Sequence, residues 1–219
     1  MRPDFQRARS PEHKEERRSQ LLRTARENLK QGGTLDELGL NELARQTGMA
    51  KSNVYRYFES REALLLDLLW EEWTSWFLGI QKQINSRKIP RQDPEMLIRR
   101  IVKDIAGQRL LCLLTAALPT VLEANLSEQK VREFKKSSLD FFWQAAAYFE
   151  SIAPQLSKES YARMLHDGAC LIAGLYPHAH PAKVVQKVLK SSELGFFRRN
   201  FAKDLERMLL AITLADKRE

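Results

Sequence analysis

Apolar residues recur along most of this chain at the three- and four-residue spacing of an amphipathic helix, and no segment of useful length alternates apolar and polar residues as a strand would. The longest stripe runs through residues 61–87, where apolar side chains widen over most of the helix circumference. Neighbours bury a helix of that kind on several sides. The pattern therefore predicts an all-α protein of about nine helices.

Turn residues and capping signals divide this pattern into individual helices. Pro11 suits a first helical position, and Gly32 with Gly33 ends the helix that begins there. Pro119 should bend or break the apolar helix over residues 110–123. The last two helices are expected over residues 158–176 and 192–214, with a loop and a short turn between them. The candidate N-terminal caps are Ser10, Ser60, Asp93, Ser127 and Ser157.

Two short helices joined by a glycine-containing turn are predicted near the N-terminus. Residues 40–47 have helical spacing, Gly48 interrupts it, and a second helix can begin at Lys51 and reach residue 57. In this second helix, Val54 and Phe58 stand four residues apart and can anchor one face inward. The arrangement is a helix-turn-helix, whose second helix commonly lies in the major groove of DNA.

Residues 38–65, LGLNELARQTGMAKSNVYRYFESREALL, closely resemble the DNA-binding domain of the tetracycline repressor family, whose members typically read like ELARRAGVSKGTLYRYFPSKEALL. The ELA, G, K, YRYF, S and EALL positions match in one register. Gly39 and Ala50 depart from the family, which usually has a Thr or Ser cap on each of these helices. A lost cap costs about 0.5–2 kcal/mol, so the departure affects stability more than identity.

The resemblance implies two domains. The first, over residues 1–60, is an N-terminal arm with a three-helix helix-turn-helix DNA-binding domain, and the second, over residues 61–219, is a helical regulatory domain for effector binding and dimerisation. The arm contains Arg2, Arg7 and Arg9, which either reach phosphate or the minor groove or belong to a solvated tail.

By match to the family motif, seven residues are expected to contact or frame the DNA. They are Lys51, Ser52, Asn53, Tyr55, Arg56, Tyr57 and Arg61. Ser52, Asn53 and Arg56 are the expected base readers, because Asn pairs with adenine and Arg with guanine through two hydrogen bonds each. Tyr57 is assigned mostly to packing, and the remaining three residues are expected to contact phosphates.

Two stripes in the last third of the chain predict a packing face with coiled-coil-like spacing. The expected dimer contacts are Tyr161, Leu165, Ala169, Ile172, Phe197, Phe201, Leu205 and Met208. Two such helices from each of two subunits could form a four-helix interface, or both stripes could close the core of a single chain. The resemblance favours the homodimer, since such regulators usually pair in this way.

Regulators resembling this family usually enclose a small molecule among their central helices. The candidate wall residues are Trp73, Phe77, Cys112, Phe142, Trp143, Tyr148 and His166. A largely apolar lining would favour a hydrophobic effector. The alternative for each residue is a place in the core, because aromatic side chains at helical spacing mainly fill volume.

Composition adds little to this picture. The formal net charge of +8 fits a polyanion partner but is common among soluble proteins. Cys112 and Cys170 lie far apart in helical patterns, which is consistent with the reducing cytoplasm. The N-terminus lacks the apolar core of a signal peptide, and no apolar run is long enough to span a bilayer. We therefore expect a cytoplasmic protein without membrane association.

Catalytic signatures are missing from the sequence, which contains no glycine-rich phosphate loop, H-E-x-x-H, nucleophile elbow or CxxC pair. We therefore expect no enzyme, no cofactor and no metal site. His166 and Cys170 have i, i+4 spacing and could hold a metal or touch a ligand, but two ligands are only a fragment of a site, and a packed pair is the simpler interpretation. His178 and His180 are expected at the surface or at the edge of an interface.

Together these features predict a sequence-specific transcription regulator that binds double-stranded DNA as a homodimer on a palindromic operator. Repression, with release by a small hydrophobic effector, is the expected mode. One alternative is a helix-turn-helix protein that is regulated by, or recruits, a protein partner without a small-molecule ligand. Another is an α-helical enzyme that uses His166.

Overall fold

The computed structural model describes residues 11–86 and 93–215, and these residues form ten α-helices and no β-strand. The helices are α1 (Pro11–Lys30), α2 (Leu40–Thr47), α3 (Lys51–Val54), α4 (Arg61–Ser86), α5 (Pro94–Ala106), α6 (Arg109–Ala117), α7 (Glu128–Ile152), α8 (Lys158–Ala179), α9 (Lys183–Val188) and α10 (Phe201–Ala215). The all-α prediction is confirmed. Arg2, Arg7 and Arg9 of the predicted arm, and the predicted cap Ser10, lie outside the described residues.

The chain divides into two compact units, Met1–Leu68 and Leu69–Glu219. The first contains α1, α2, α3 and the first two turns of α4, and the second contains the rest of α4 and all later helices. Because α4 is one unbroken helix, the same element supplies residues to both units.

The first unit is built around apolar side chains that the helical spacing directs to one interior. Its buried residues include Leu21, Leu22, Ala25, Leu29, Leu43, Val54, Phe58, Leu64, Leu65 and Leu68. Burying each large aliphatic side chain contributes roughly 1.5–3 kcal/mol. This small core holds the two short helices in place.

The second unit is organised around α8, which packs against α6, α7 and α10, while α5 packs against α10. A Cβ atom at Gly168 of α8 would lie 3.8 Å from a methyl carbon of Leu209, an ordinary van der Waals distance, so α8 and α10 are in contact here. At the start of α8, the hydroxyl of Tyr161 donates a hydrogen bond to the carbonyl of Ala153 over 2.8 Å. This unit encloses most of the aromatic side chains.

The predicted caps are largely present. Ser60, Ser127 and Ser157 each accept a hydrogen bond from a backbone N–H three residues further on, over 3.1 to 3.3 Å. Asp93 occupies the cap position of α5, but its side chain makes no capping hydrogen bond, which corrects that prediction. Pro94 follows at the first helical position and needs no partner for a missing N–H.

Several predicted boundaries differ from the observed ones. Helix α6 ends at Ala117 and continues as a π-helical turn, Leu118–Leu122, so Pro119 breaks the helix as expected. Helix α8 passes through Pro177 to Ala179 instead of ending at Tyr176, because a proline so close to a helix end removes only one of its last hydrogen bonds.

The last helix starts nine residues later than predicted, at Phe201 instead of residue 192. The signal that the prediction missed is Asn200, whose side-chain oxygen accepts a hydrogen bond from the Lys203 N–H over 3.0 Å and caps α10. Upstream of it, Gly195–Phe197 forms a single 3₁₀ turn. The apolar stripe of α10 therefore does not extend back to Leu194 and Phe197.

Within residues 11–86 and 93–215, no single helix combines the length and hydropathy of a membrane span. Helices α5 and α6, with the turn that follows, meet that criterion only as a pair bent by 89°.

Candidate nucleic-acid interface and ligand cavity

The turn between α2 and α3 depends on Gly48, which has a φ of 67° in the left-handed region that glycine adopts at low cost. The N–H of Met49 donates to the carbonyl of Ala44 over 2.9 Å, and the N–H of Gly48 donates to that of Arg45 over 3.3 Å. These bonds satisfy the free carbonyls at the end of α2. They turn the chain within three residues, so that α3 can begin at Lys51.

Helix α3 is held by two inward-facing anchors, as its spacing predicts. Val54 and Phe58 are both buried in the first unit. The guanidinium carbon of Arg18, on α1, lies 5.6 Å from the centre of the Phe58 ring, and Arg18 Nη2 donates to Asp67 Oδ2 over 2.7 Å. Arg18 carries no sequence signal for this role, because no local feature marks a contact between residues 49 positions apart.

The residues between and beside these anchors are exposed. Lys51, Ser52, Asn53, Tyr55 and Arg56 all lie on the outer surface, and Tyr57 is half-buried. Helix α3 is shorter than predicted: it ends at Val54, and residues 55–57 form a turn. The exposed set combines two cations, which suit phosphates, with amide and hydroxyl groups, which suit base edges.

Arg61 is placed differently from the other expected phosphate contacts. Its Nη2 donates to Glu62 Oε1 over 2.8 Å, and its Nη1 donates to the carbonyl of Leu35 over 3.3 Å. Glu62 is buried, and the Arg61 side chain is mostly covered. The guanidinium therefore neutralises a buried carboxylate and holds the segment before α2. Its contact with phosphate, expected from the family motif, stays a prediction.

A polar cluster joins α1 to α2. Arg45 donates to both carboxylate oxygens of Glu42, over 2.9 and 2.5 Å, and Gln46 donates to the same carboxylate over 2.9 Å. Asn28 of α1 completes it with a 2.9 Å bond to the Gln46 side chain. The hydrogen bonds from Arg45 and then Gln46 lower the pKa of Glu42 to about 2. The carboxylate is therefore ionised throughout the physiological range.

Gly39 and Ala50, which precede α2 and α3, make no side-chain capping hydrogen bond. The missing capping bonds are expected, because neither residue has the Thr or Ser hydroxyl that is usual at these positions in the family.

The second unit contains a cavity of about 280 Å³ bounded by α4, α6, the π-helical turn, α7 and α8. It is lined by Trp73, Thr115, Leu118, Pro119, Glu123, Phe134, Lys135, Ser138, Leu139, Phe142, His166, Ala169, Cys170 and Ala173. Most of this wall is apolar, which is typical of a small-molecule site.

A few polar groups interrupt the apolar wall. The indole N–H of Trp73 donates to the Thr115 hydroxyl over 3.1 Å, so both groups are satisfied within the protein. Lys135 Nζ lies 2.6 Å from Glu123 Oε1, and the lysine side chain is more than half exposed. The ammonium group therefore lies towards solvent, whereas the Glu123 carboxylate with which it pairs is mostly covered.

Family comparisons agree with this geometry. The sequence model of the family described as "Bacterial regulatory proteins, tetR family" matches residues 21–68. The sequence model of the family described as "Tetracyclin repressor-like, C-terminal domain" matches residues 70–214. The second match alone spans more than half of the chain. This chain belongs to the tetracycline repressor family. It is therefore a transcriptional regulator, and its helix-turn-helix is the DNA-binding element of the family.

Among solved structures, this tetracycline repressor family member is similar to the fatty acid degradation regulator FadR from Bacillus halodurans. The sequence identity is 18% and the TM-score is 0.48, with 88% of this chain and 97% of that chain covered. No curated protein matches the chain.

Of the seven wall residues expected from the family resemblance, Trp73, Phe142 and His166 line the cavity. The other four do not. Phe77 packs against Phe141, Tyr148 and Phe149. Tyr148 donates to Asn85 over 3.0 Å.

Cys112 and Trp143 also lie elsewhere. Cys112 is buried, its Sγ donates to the carbonyl of Ile105 over 3.3 Å, and burial raises its pKa to about 12. Trp143 lies under the Lys158 ammonium, 5.0 Å from the ring centre. These positions correct the expectation, and the reason is that helical spacing identifies a buried face without showing which buried groups border a void.

Cys170 was expected to be a simple packed partner of His166. Both side chains are exposed and both line the cavity. Among the described residues, no three His, Cys, Asp or Glu side chains form a group that could hold a metal ion. His178 and His180 are at the surface, as predicted, with the His180 ring centre 4.2 Å from that of Tyr176.

The residues expected at a family-type dimer interface fall into two groups. Five of them are buried within the single chain: Tyr161, Leu165, Ile172, Phe201 and Leu205. For these five, closure of the chain's own core is what the structure shows. The other three, Ala169, Met208 and Phe197, are half-buried or exposed and remain accessible.

Proposed function

We propose that this protein is a homodimeric repressor that binds a palindromic operator in the cytoplasm and is released by a small, mainly apolar effector. The observation that carries the proposal is the exposed cationic and amide surface of α3 in one unit together with an apolar cavity in the other. The N-terminal unit binds DNA in this scheme. The C-terminal unit binds the effector and the second subunit.

The proposed contacts with DNA follow from exposure and chemistry. Lys51 and Tyr55 contact phosphates, and Asn53 and Arg56, with Ser52, contact base edges in the major groove. Two copies related by a twofold axis would place two such surfaces on two half-sites. The operator is therefore an inverted repeat, with its half-sites about one helical turn apart or a multiple of that distance.

The proposed effector is defined by its surroundings. Trp73, Phe134, Phe142 and Leu118 offer apolar contacts to its body, and the exposed Lys135 can reach its polar end. Trp73 belongs to α4, the helix whose first turns form part of the DNA-binding unit. A molecule that binds beside Trp73 can therefore bias how the DNA-binding units are presented, which shifts the population away from the form that fits the operator.

The experiment that tests this function is selection of bound duplexes from a random pool by the purified protein at near-physiological salt. Enrichment of an inverted repeat is expected, because a dimer that reads bases directly recovers two related half-sites. Failure to enrich any sequence would overturn direct operator recognition and would favour the alternative, a helix-turn-helix that acts through a protein partner.

Release is tested separately, by screening small apolar molecules for loss of binding to the selected operator. Loss of DNA binding at a saturating concentration, reversed when the molecule is removed, is the expected result. An operator complex that no such molecule dissociates would contradict the effector half of the proposal and leave the DNA-binding half intact.

A further inference from the structure

Trp73 and Trp76 stand three residues apart on α4 and differ in how their indole N–H groups are used. The Trp73 N–H donates to the Thr115 hydroxyl over 3.1 Å. Trp76 is 6% exposed, and its Nε1 has no hydrogen-bond partner among the described residues. A buried donor without an acceptor is uncommon in folded proteins, because it has lost its bond to water without a replacement. Trp76 therefore holds a donor that a bound molecule can satisfy.

Trp76 also borders a void of about 50 Å³, which lies among α4, α5, α6, α7, α8 and α10. We call it the inner void, and Met164 and Leu209 are among its other lining residues. In this part of the described chain, the side-chain nitrogen and oxygen atoms of the wall belong to Trp73, Trp76 and Thr115, and no lining residue is charged. Because burying a charge without a partner is costly, the inner void suits an uncharged group.

The inner void adjoins the 280 Å³ cavity, because Trp73, Thr115, Phe142 and Ala169 line both spaces. The hydrogen bond to Thr115 holds the Trp73 ring in place. Phe142 packs against Trp73 with the ring centres 5.7 Å apart, and a phenyl ring has no hydrogen bond to break when it turns. Rotation of the Phe142 side chain to another rotamer can therefore join the two spaces.

We propose that Trp76 selects the effector by donating a hydrogen bond to an uncharged acceptor at its buried end. The body of this elongated, apolar molecule lies in the cavity, and a ketone, ester or ether oxygen enters the inner void and accepts from Trp76 Nε1. Any charged group of the molecule stays at the solvent side, near Lys135. The inference rests on the proposed effector response and names the chemical class that produces it.

A trapped water is the other candidate partner for the Trp76 N–H. The inner void has room for one, since about 10–15 Å³ is enough, but a stable buried water makes two to four hydrogen bonds. Among the side chains of the wall, Trp76 offers one bond, and the Thr115 hydroxyl already accepts from Trp73. An acceptor atom that belongs to an apolar molecule needs no further polar partner, so the wall favours such a molecule over water.

The first test compares two probes that share one carbon skeleton. Benzylacetone carries a ketone carbonyl near the end of its chain, where butylbenzene has a methylene group. The dissociation constants of both probes are measured with the parent, Trp76→Phe and Trp143→Phe. Trp143→Phe is the matched control, because Trp143 lies under the Lys158 ammonium and lines neither space. Titration of the Trp73 indole NMR signal, which all three proteins retain, supplies the constants.

The ratio of the two dissociation constants isolates the hydrogen bond. Within one protein, the ratio compares two molecules of the same shape, so a cavity left by the smaller ring affects both alike. The preference for benzylacetone over butylbenzene should fall by roughly 3- to 10-fold in Trp76→Phe, the effect of one hydrogen bond, and stay at the parental value in Trp143→Phe. A residue that only fills space would leave this ratio unchanged.

The second test observes the bond in the parent protein and does not depend on the folding of a variant. The chain contains four tryptophans, whose indole N–H signals are assigned from through-bond NMR spectra. Benzylacetone should move the Trp76 indole proton downfield, as a new hydrogen bond does, and butylbenzene should not. Magnetisation transfer from a long-lived water to this proton, unchanged by benzylacetone, would show that water satisfies the donor and would overturn the inference.

The outcomes separate this inference from the function on which it rests. If apolar molecules release the operator but the probe ratio is the same in the parent and Trp76→Phe, the inference fails alone. It also fails if the parent binds neither probe, because the joined space should accept both. If no small molecule releases the operator, the effector half of the proposed function fails, and the role of Trp76 fails with it.

Discussion

The guanidinium of Arg18 and the carboxylate of Asp67 join the first helix to the fourth within the DNA-binding unit, over 2.7 Å. Both side chains are mostly covered, so water replaces their interaction poorly. Arg18→Met should lower the free energy of unfolding by about 1.5–3 kcal/mol, the usual cost of a hydrogen bond between charged groups. Urea unfolding followed by circular dichroism measures it.

Arg23→Met is the control for this change, because Arg23 is exposed on the same helix. Arg23→Met should change the free energy of unfolding by no more than about 0.5 kcal/mol. Equal losses in the two variants would mean that the contact with Asp67 contributes nothing specific.

Substitutions at Lys51 and Asn53 should distinguish phosphate contacts from base contacts. Lys51→Ala should weaken binding to all sequences alike and flatten the dependence of log K on log salt by about one. Asn53→Ala should keep the salt slope and lose about 1–3 kcal/mol of discrimination at one base position. Fluorescence anisotropy over a salt series, with the operator and a scrambled duplex, measures both. Parental behaviour in both variants would place the interface elsewhere.

Arg61→Gln should affect stability rather than DNA affinity. The substitution leaves the buried Glu62 carboxylate without its 2.8 Å partner and releases the Leu35 carbonyl. We expect a loss of about 1–3 kcal/mol in urea unfolding and an unchanged salt slope for DNA binding. Lys51→Gln, at an exposed position that the proposal assigns to phosphate, should show the opposite pattern. If Arg61→Gln instead lowered the salt slope by about one and kept the parental stability, Arg61 would be a phosphate contact.

The protein should lose stability as pH rises above the ordinary pKa of a thiol. Burial raises the pKa of Cys112 from 9.0 to about 12, and burial also raises the pKa of Tyr161 and Tyr176. Between the unfolded and folded pKa values, the unfolded chain releases a proton that the folded chain keeps, so higher pH favours unfolding.

Urea midpoints compared at about pH 8 and about pH 10 measure this effect. The urea midpoint should fall less between the two pH values in Cys112→Ala than in the parent, because the variant lacks the buried thiol. Cys170→Ala is the control, since Cys170 is exposed and should leave the fall unchanged. An identical fall in all three proteins would show that Cys112 titrates in the folded chain as it does in the unfolded one.

Filling the cavity should remove the effector response. Ser138 lines the cavity, whereas the neighbouring Ser137 is exposed and does not line it. Ser138→Phe should therefore bind the operator like the parent and resist release by a molecule that dissociates the parental complex. Ser137→Phe should respond normally. Release of both variants at the same effector concentration would place the effector outside this cavity.

The sequence by itself determined the features that depend on neighbours within about four residues. Glycine at position 48 predicts the turn, the four-residue spacing of Val54 and Phe58 predicts which side of α3 is buried, and the serine caps at 127 and 157 predict where α7 and α8 begin. Hydrogen bonds and side-chain contacts inside a helix have this same range, so residue order alone contains the information.

Only the tertiary structure decided what each buried face touches. The apolar stripes that contain Tyr161 on α8 and Leu205 on α10 are equally compatible with a dimer interface and with a core. Both residues belong to the core, because α8 and α10 pack against each other within one chain. Likewise, Phe142 borders the cavity while Phe77 fills volume, although both are aromatic residues at helical spacing. Periodicity shows that one face of a helix is covered. Which element covers it depends on the packing of the whole unit, and that element is often many residues away in the sequence.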